Sequence, residues 1–140
     1  MKVLSLFDGI SCGMVALERV GITVERYVAY EIDEDAIKIS KHNYPKIEHK
    51  GDVFAAEYKE GEFDILIGGS PCTHWSIAQK NGRETQPNSG LGWELFLNYK
   101  IALEKYKPDY FLYENNKSAS QAIKDEICNQ LGTPLQYINS

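Results

Sequence analysis

Gly68-Gly69-Ser70-Pro71-Cys72 follows directly on the apolar run Phe63-Asp64-Ile65-Leu66-Ile67. That order predicts a buried strand that ends in a glycine turn and hands a proline-braced cysteine to the mouth of a sheet. Proline fixes its own φ and restricts the residue before it, so Cys72 is presented at a set angle. Its thiolate form would be the nucleophile. Glu114 closes a second run, Tyr110-Phe111-Leu112-Tyr113. At the end of a buried strand its carboxyl group could hold or share a proton with a ring nitrogen; capping the following helix is the competing role. A thiol and a carboxyl group converging on one face would make a nucleophile and its acid partner. His74 and Arg83 are nearby in sequence, either as partners of Cys72 or as solvated loop residues. Cys12 and Cys128 read as buried packing residues, the commonest kind of free cysteine.

A second set of residues points to a ligand pocket. Phe7-Asp8-Gly9-Ile10-Ser11-Cys12-Gly13 is a glycine turn without the spacing of the dinucleotide fingerprint or the P-loop. Glu31 stands roughly 20 residues beyond it, the spacing at which an acid hydrogen-bonds a ribose hydroxyl pair. A carboxylate there repels a pyrophosphate, so a nucleoside without phosphates is favoured. Ile32 is placed to lie on a purine face, Asp52 to accept from an exocyclic amine, and Val53 is an apolar neighbour. Together these residues describe a pocket for an adenosine-like ligand.

The elements that must position both sets alternate strand and helix. Lys2–Phe7, Val24–Tyr30, Ile47–His49, Asp64–Gly68 and Tyr110–Tyr113 read as strands one to five, and Leu135–Ile138 as the start of a sixth. Met14–Val20, Glu34–Asn43 (with Asp33 as cap), Trp93–Tyr106 and Ser118–Leu131 read as helices. Thr73–Gly92 reads as a mobile polar loop. Such alternation predicts an α/β, Rossmann-like, doubly wound and mostly parallel sheet. Ligands of that architecture bind at the carboxyl ends of the strands, where the residues named above fall.

The chain has 140 residues, room for one domain, with 43% hydrophobic and 25% charged residues. No run is long and apolar enough to span a bilayer, and no signal-peptide pattern opens the chain. The three cysteines have neither zinc-ligand nor disulfide-framework spacing, so no metal is expected and free thiols fit a reducing compartment. The expected location is the cytoplasm, of a host cell or at its nucleoid. A net charge of −5 argues against these residues alone gripping a nucleic-acid backbone.

The ordered set Phe7-Asp8-Gly9-Ile10-Ser11-Cys12-Gly13, Glu31-Ile32-Asp33, Gly51-Asp52-Val53, Gly68-Gly69-Ser70-Pro71-Cys72, Trp93-Glu94-Leu95-Phe96 and Glu114-Asn115 resembles the first six core motifs of the DNA cytosine-5 methyltransferases. In style the Phe-Asp-Gly-Ile turn and the Ser-Pro-Cys-Thr-His-Trp-Ser run look closest to the animal de novo branch. The resemblance implies the S-adenosylmethionine-dependent methyltransferase fold, incomplete at the carboxyl end, with S-adenosylmethionine as cofactor. It implies that Phe7, Gly9, Glu31, Ile32, Asp52, Val53 and Leu95 bind that cofactor. It implies too that Cys72 attacks C6 of a flipped-out cytosine in a DNA substrate while Glu114 contacts N3 and the amino group. A soft nucleophile that can also leave suits this chemistry, which favours Cys over Ser. Restriction-modification is the biological setting the family suggests.

The family pattern continues beyond these residues with paired arginines, a target-recognition region and a late helix that completes the cofactor pocket. Residues 1–140 therefore read as a single, partial catalytic domain. Alone it is expected to bind cofactor weakly, if at all, and not to methylate DNA, needing absent segments or a second chain that supplies recognition. A regulatory or split-enzyme subunit, and a tRNA cytosine-5 methyltransferase of the same family, are the alternative readings.

Overall fold

The computed structural model describes residues 1–78 and 82–138. Five strands, β1 (Lys2–Leu6), β2 (Arg26–Tyr30), β3 (Glu48–Gly51), β4 (Ile65–Gly68) and β5 (Tyr110–Tyr113), form one sheet in the order β3-β2-β1-β4-β5. Every pairing is parallel, with Leu6 opposite Tyr30 on one side and Gly68 on the other. The helices are α1 (Cys12–Arg19), α2 (Glu34–Asn43), α3 (Leu91–Tyr106) and α4 (Gln121–Leu131). Among the described residues no helix is long and apolar enough to cross a membrane.

The alternating side chains of a strand explain the layers. Val3 on β1 faces a cluster with Tyr27, Ala29 and Ile67 that Leu17 of α1 covers. Leu4 and Leu6 face the other way, onto Val28, Tyr30, Leu66 and the α3 residues Tyr99, Ala102 and Tyr106. Both faces of the central strands are thus buried, the usual condition of a parallel sheet. A third cluster joins Trp75, Trp93 and Phe96 to Ala119, Ile123 and Ile127, and so docks α4 against the start of α3. The connections run outward from β1 in one direction and from β4 in the other. The switch point between β1 and β4 is where such sheets open a crevice.

Helix α2 starts and ends where the sequence predicts, because Asp33 accepts from the backbone N–H groups of Asp35 and Ala36. Four expectations are corrected. Leu135–Ile138 forms no strand: it lies against the α4 side, with Lys124 Nζ 5.7 Å from the Tyr137 ring centroid, and has no ladder partner. Its β-branched and aromatic content fits a pleated surface that it does not meet here. Strand β5 is not buried; it is the sheet edge, with Tyr110 and Leu112 about 60% exposed. Cys12 is exposed at the start of α1, since the turn that precedes it rotates its side chain away from the sheet. The described parts of 73–92 are anchored rather than loose: Trp75 is buried, and Arg83 donates to the carbonyls of Trp75 and Ser118.

At the amino ends of the strands Arg26 joins β2 to Glu48 and Glu62, at 2.8 and 2.9 Å. The guanidinium holds the Glu48 carboxyl below its ordinary range; for Glu62 the Lys59 backbone N–H does so first and Arg26 second. Folded values below the unfolded value of about 4.3 mean that this stabilisation is present above pH 4.3 and is lost as pH falls through the folded values. The melting temperature is therefore expected to drop below about pH 4.3. Glu62→Gln should make that acid-side drop shallower, modestly because water screens the half-exposed cluster.

Candidate functional site

Beyond β1 the backbone takes three left-handed residues within five, Phe7 (φ 58°), Gly9 (φ 59°) and Ser11 (φ 66°). For Phe7 and Ser11 that conformation is strained and persists only when surrounding contacts enforce it. One such contact comes from Glu31 at the end of β2: Oε2 accepts from Gly9 N at 2.8 Å. Oε1 accepts from the backbone N–H groups of Ile32 and Asp33, at 2.8 and 2.9 Å. The carboxylate is thus fixed in place with acceptor capacity left over.

At the end of β3 the Asp52 side chain is exposed and its Oδ1 accepts from Phe54 N at 3.0 Å. Ile32 stands 72% exposed at the neighbouring strand end. Val53 is different: its side chain is buried in the core with Leu4, Leu6 and Tyr30, so only its backbone faces outward. Phe54, which sequence reasoning passed over, is the exposed apolar side chain at that corner. Leu95 is half-buried in α3, and no described hydrogen bond or pocket joins it to the other cofactor candidates.

The crevice between β1, β4 and β5 is a cavity of about 150 Å³ whose walls include Phe7, Asp8, Gly68 and Glu114. The turn at β1 and the carboxyl group at β5 therefore share one opening. Glu114 is stitched to the Cys72 loop. Its N–H donates to Gly68 O at 2.9 Å, and Asn115 Nδ2 donates to Ser70 O at 2.9 Å. The Tyr113 hydroxyl pairs with Ser70 Oγ at 2.6 Å. Burial pushes the Tyr113 phenol up to about 12, which keeps it a neutral hydroxyl in this brace.

Gly69 explains why the turn needs glycine. A Cβ there would lie 2.7 Å from Glu114 O and 3.0 Å from Glu114 Oε2. Gly69→Ala should push Glu114 away from the Cys72 loop and cost about 1–3 kcal/mol of stability, as overpacking of a tight contact does. A thermal melt beside the wild type checks it.

Cys72 is half-buried and opens a single 3-10 turn, Cys72–His74, whose Cys72 carbonyl accepts from Trp75 N and Ser76 N. The neighbours His74 and Arg83 have other partners: His74 Nδ1 sits 3.5 Å from Glu84 Oε1, and Arg83 holds backbone carbonyls. Glu84 was invisible in the sequence as an organiser. It accepts from Trp75 Nε1 and Gly92 N, both at 3.2 Å, and so latches the segment after Cys72 to the start of α3. Gly90 and Gly92 are the signal that could have revealed it, because a Cβ on either would overlap the Glu84 carboxyl group.

Residues 1–138 match the C-5 cytosine-specific DNA methylase family. The chain is 37% identical over 134 residues to the orphan methyltransferase M.Rho11sI of Bacillus phage rho11s, covering 92% of this chain and 25% of that protein. It is 36% identical over 142 residues to the orphan methyltransferase M.SPRI of Bacillus phage SPR, covering 99% and 31%. The type II methyltransferase M.HgiBI of Herpetosiphon aurantiacus is 34% identical over 119 residues, covering 83% and 26%. The chain thus spans between a quarter and a third of the length of these relatives. In fold it is similar to an E. coli prophage-encoded protein described as a DNA modification methyltransferase, with a TM-score of 0.63 and 22% identity over 94% of this chain and 38% of that one.

Proposed function

Because the chain belongs to the C-5 cytosine-specific DNA methylase family, we propose that it carries the cofactor- and nucleophile-bearing portion of an enzyme that methylates C5 of cytosine in DNA. The observation that supports this most is the junction of two loops: Gly69 brings the backbone against Glu114, and Cys72 follows within the same turn.

The residues at the three strand ends fit S-adenosylmethionine. Residues 7–13, 31–35 and 51–56 hold Asp8, Glu31, Asp33, Glu34, Asp35 and Asp52, and no Lys or Arg. Such an acceptor-rich, anionic rim suits a ligand with hydroxyl and amine donors and positive charge, and repels phosphates. Glu31 would take the ribose hydroxyls, Asp52 the adenine amine, and Ile32 the purine face. Phe7, Gly9, the Val53 backbone and Leu95 would complete the enclosure. Bound there, the cofactor supplies an electrophilic methyl group on a sulfonium sulfur.

The chain's own residues make cytosine reactive. The Cys72 thiolate adds to C6 of an extruded base, forming an S–C6 bond and moving the 5,6-double-bond electrons toward C5. Glu114 holds a proton at N3 and accepts from the exocyclic amine, which stabilises the charge built on the ring. Once C5 carries its methyl group, the C5 proton passes to solvent, the C5–H electrons restore the 5,6-double bond, and the S–C6 bond breaks to release the Cys72 thiolate. Sulfur can both attack and leave, so the enzyme is regenerated.

The test offers duplex DNA and tRNA, with tritiated S-adenosylmethionine, to the chain alone and to the chain supplied with a target-recognition segment, followed by nucleoside analysis. The reading expects label in 5-methylcytosine of DNA once that segment is supplied. Label confined to tRNA, or to an exocyclic nitrogen, would overturn it.

A further inference from the structure

The turn that carries Phe7, Gly9 and Ser11 is held from behind by a chain of buried and half-buried polar side chains that no step above uses. Asp8 Oδ1 accepts from the Tyr27 hydroxyl at 2.7 Å, and Asp8 Oδ2 accepts from Ser11 Oγ. Ser11 Oγ lies 2.5 Å from Ser40 Oγ of α2, and Ser40 Oγ lies 3.1 Å from His49 Nε2 of β3. Both serines are fully buried.

Donor accounting fixes the direction of this chain. An ionised carboxylate only accepts, so the one Ser11 hydroxyl proton goes to Asp8. Ser11 must then accept from Ser40, whose single proton is used in turn. Ser40 must therefore accept from His49, which places the proton of the neutral ring on Nε2. The other ring nitrogen, Nδ1, is buried and has no hydrogen-bond partner. Burial lowers the pKa of His49, against a smaller opposing pull from Asp8, which agrees with a neutral ring. Tyr27 also stays protonated, since burial and then the Asp8 carboxylate hold its phenol well above the ordinary value.

Every link thus points at Asp8, the residue between strained Phe7 and Gly9. A left-handed Phe7 and a left-handed Ser11 need enforcement, and Ser11 belongs to the chain itself. The other side of the turn is held by Glu31 through the Gly9 amide. The turn is clamped between a carboxylate in front and a one-way hydrogen-bond chain behind.

We propose that His49 and Ser40 are positioning residues for the cofactor turn, acting through Ser11 and Asp8 to hold Gly9 and Phe7 in the conformation that receives S-adenosylmethionine. This rests on the cofactor reading above. It adds two residues from α2 and β3 that stand one and two links behind the turn.

The test compares Ser40→Ala, His49→Phe and His49→Gln, well below their melting temperatures. Gln retains an N–H at the reach of Nε2; Phe fills the space without a donor. Two readouts are taken: hydrogen exchange of the Gly9 amide in the ligand-free protein, and the dissociation constant for S-adenosylmethionine by calorimetry. The expected result is faster Gly9 exchange and about five- to tenfold weaker binding in Ser40→Ala and His49→Phe, the scale of one hydrogen bond, with His49→Gln close to wild type. Unchanged Gly9 exchange and unchanged affinity in Ser40→Ala and His49→Phe, beside a lowered melting temperature, would overturn the proposal and leave the chain a packing device. If Gly9 exchange responds as expected but the wild type does not bind S-adenosylmethionine even when the pocket-completing helix is supplied, the positioning role stands and the cofactor reading fails.

Discussion

With a recognition segment supplied, Cys72→Ala is expected under the proposed reaction to lower methyl transfer to DNA on the order of 10⁴- to 10⁶-fold, the range seen when a covalent enzyme loses its sole nucleophile. Without the S–C6 bond, C5 of cytosine lacks the electron density to take a methyl group. The side chain is half-buried and joins no described hydrogen bond, so its removal should leave the fold and the strand-end pocket intact. Cofactor affinity should stay near the wild-type value, which separates loss of chemistry from loss of the site. Cys72→Ser should be nearly as inactive, because the hydroxyl is far less ionised than a thiol and an alkoxide is a poorer leaving group. Single-turnover assays with labelled cofactor measure both effects.

The second large effect is expected at Glu31. Glu31→Ala removes the acceptor of the Gly9 amide and of the Ile32 and Asp33 amides at the start of α2. It also removes the group proposed to hold the ribose hydroxyls. Losing two or three hydrogen bonds to a charged acceptor corresponds to about 3 kcal/mol, or roughly a hundredfold weaker binding of S-adenosylmethionine. Glu31→Gln should be almost as harmful, although it is isosteric. Both carboxylate oxygens accept from backbone N–H groups, and an amide must turn one N–H donor onto another. Calorimetric titration of the variants checks the order, with Ala and Gln both far from wild type.

Local rules carried much of the architecture. Strands β1, β2 and β4 read from sequence because their central residues are buried on both faces, leaving near-continuous apolar runs. Helix α2 read to the residue because Asp33 caps it by side-chain acceptance within its own turn. The sequence places the start of helix α4 at Ser118; the structure starts it at Gln121, where the Ser120 side chain accepts from Ile123 N. Leu135–Ile138 misled because strand-like composition says nothing about whether a partner edge is at hand.

At the site, residues that end strands were legible, since strand ends are where this architecture opens its crevice. Their supports were not. Ser40 meets Ser11 from 29 positions away, His49 joins through Ser40, and Asn115 reaches Ser70 across 45. Such pairs leave no periodic trace. Val53 shows the converse limit: the 3-10 turn over Val53–Ala55 sends its side chain into the core and leaves Phe54 outside.

The central claim is that Cys72 bonds covalently to the cytosine ring. Duplex DNA carrying 5-fluorocytosine, incubated with the protein, a segment that supplies target recognition and S-adenosylmethionine, tests it most directly, because fluorine at C5 blocks the elimination that releases sulfur. The account predicts a stable protein–DNA adduct whose peptide map places the DNA on Cys72, and no adduct with Cys72→Ala. An adduct on another residue, or methylation of ordinary cytosine with no adduct on the fluorinated base, would contradict it.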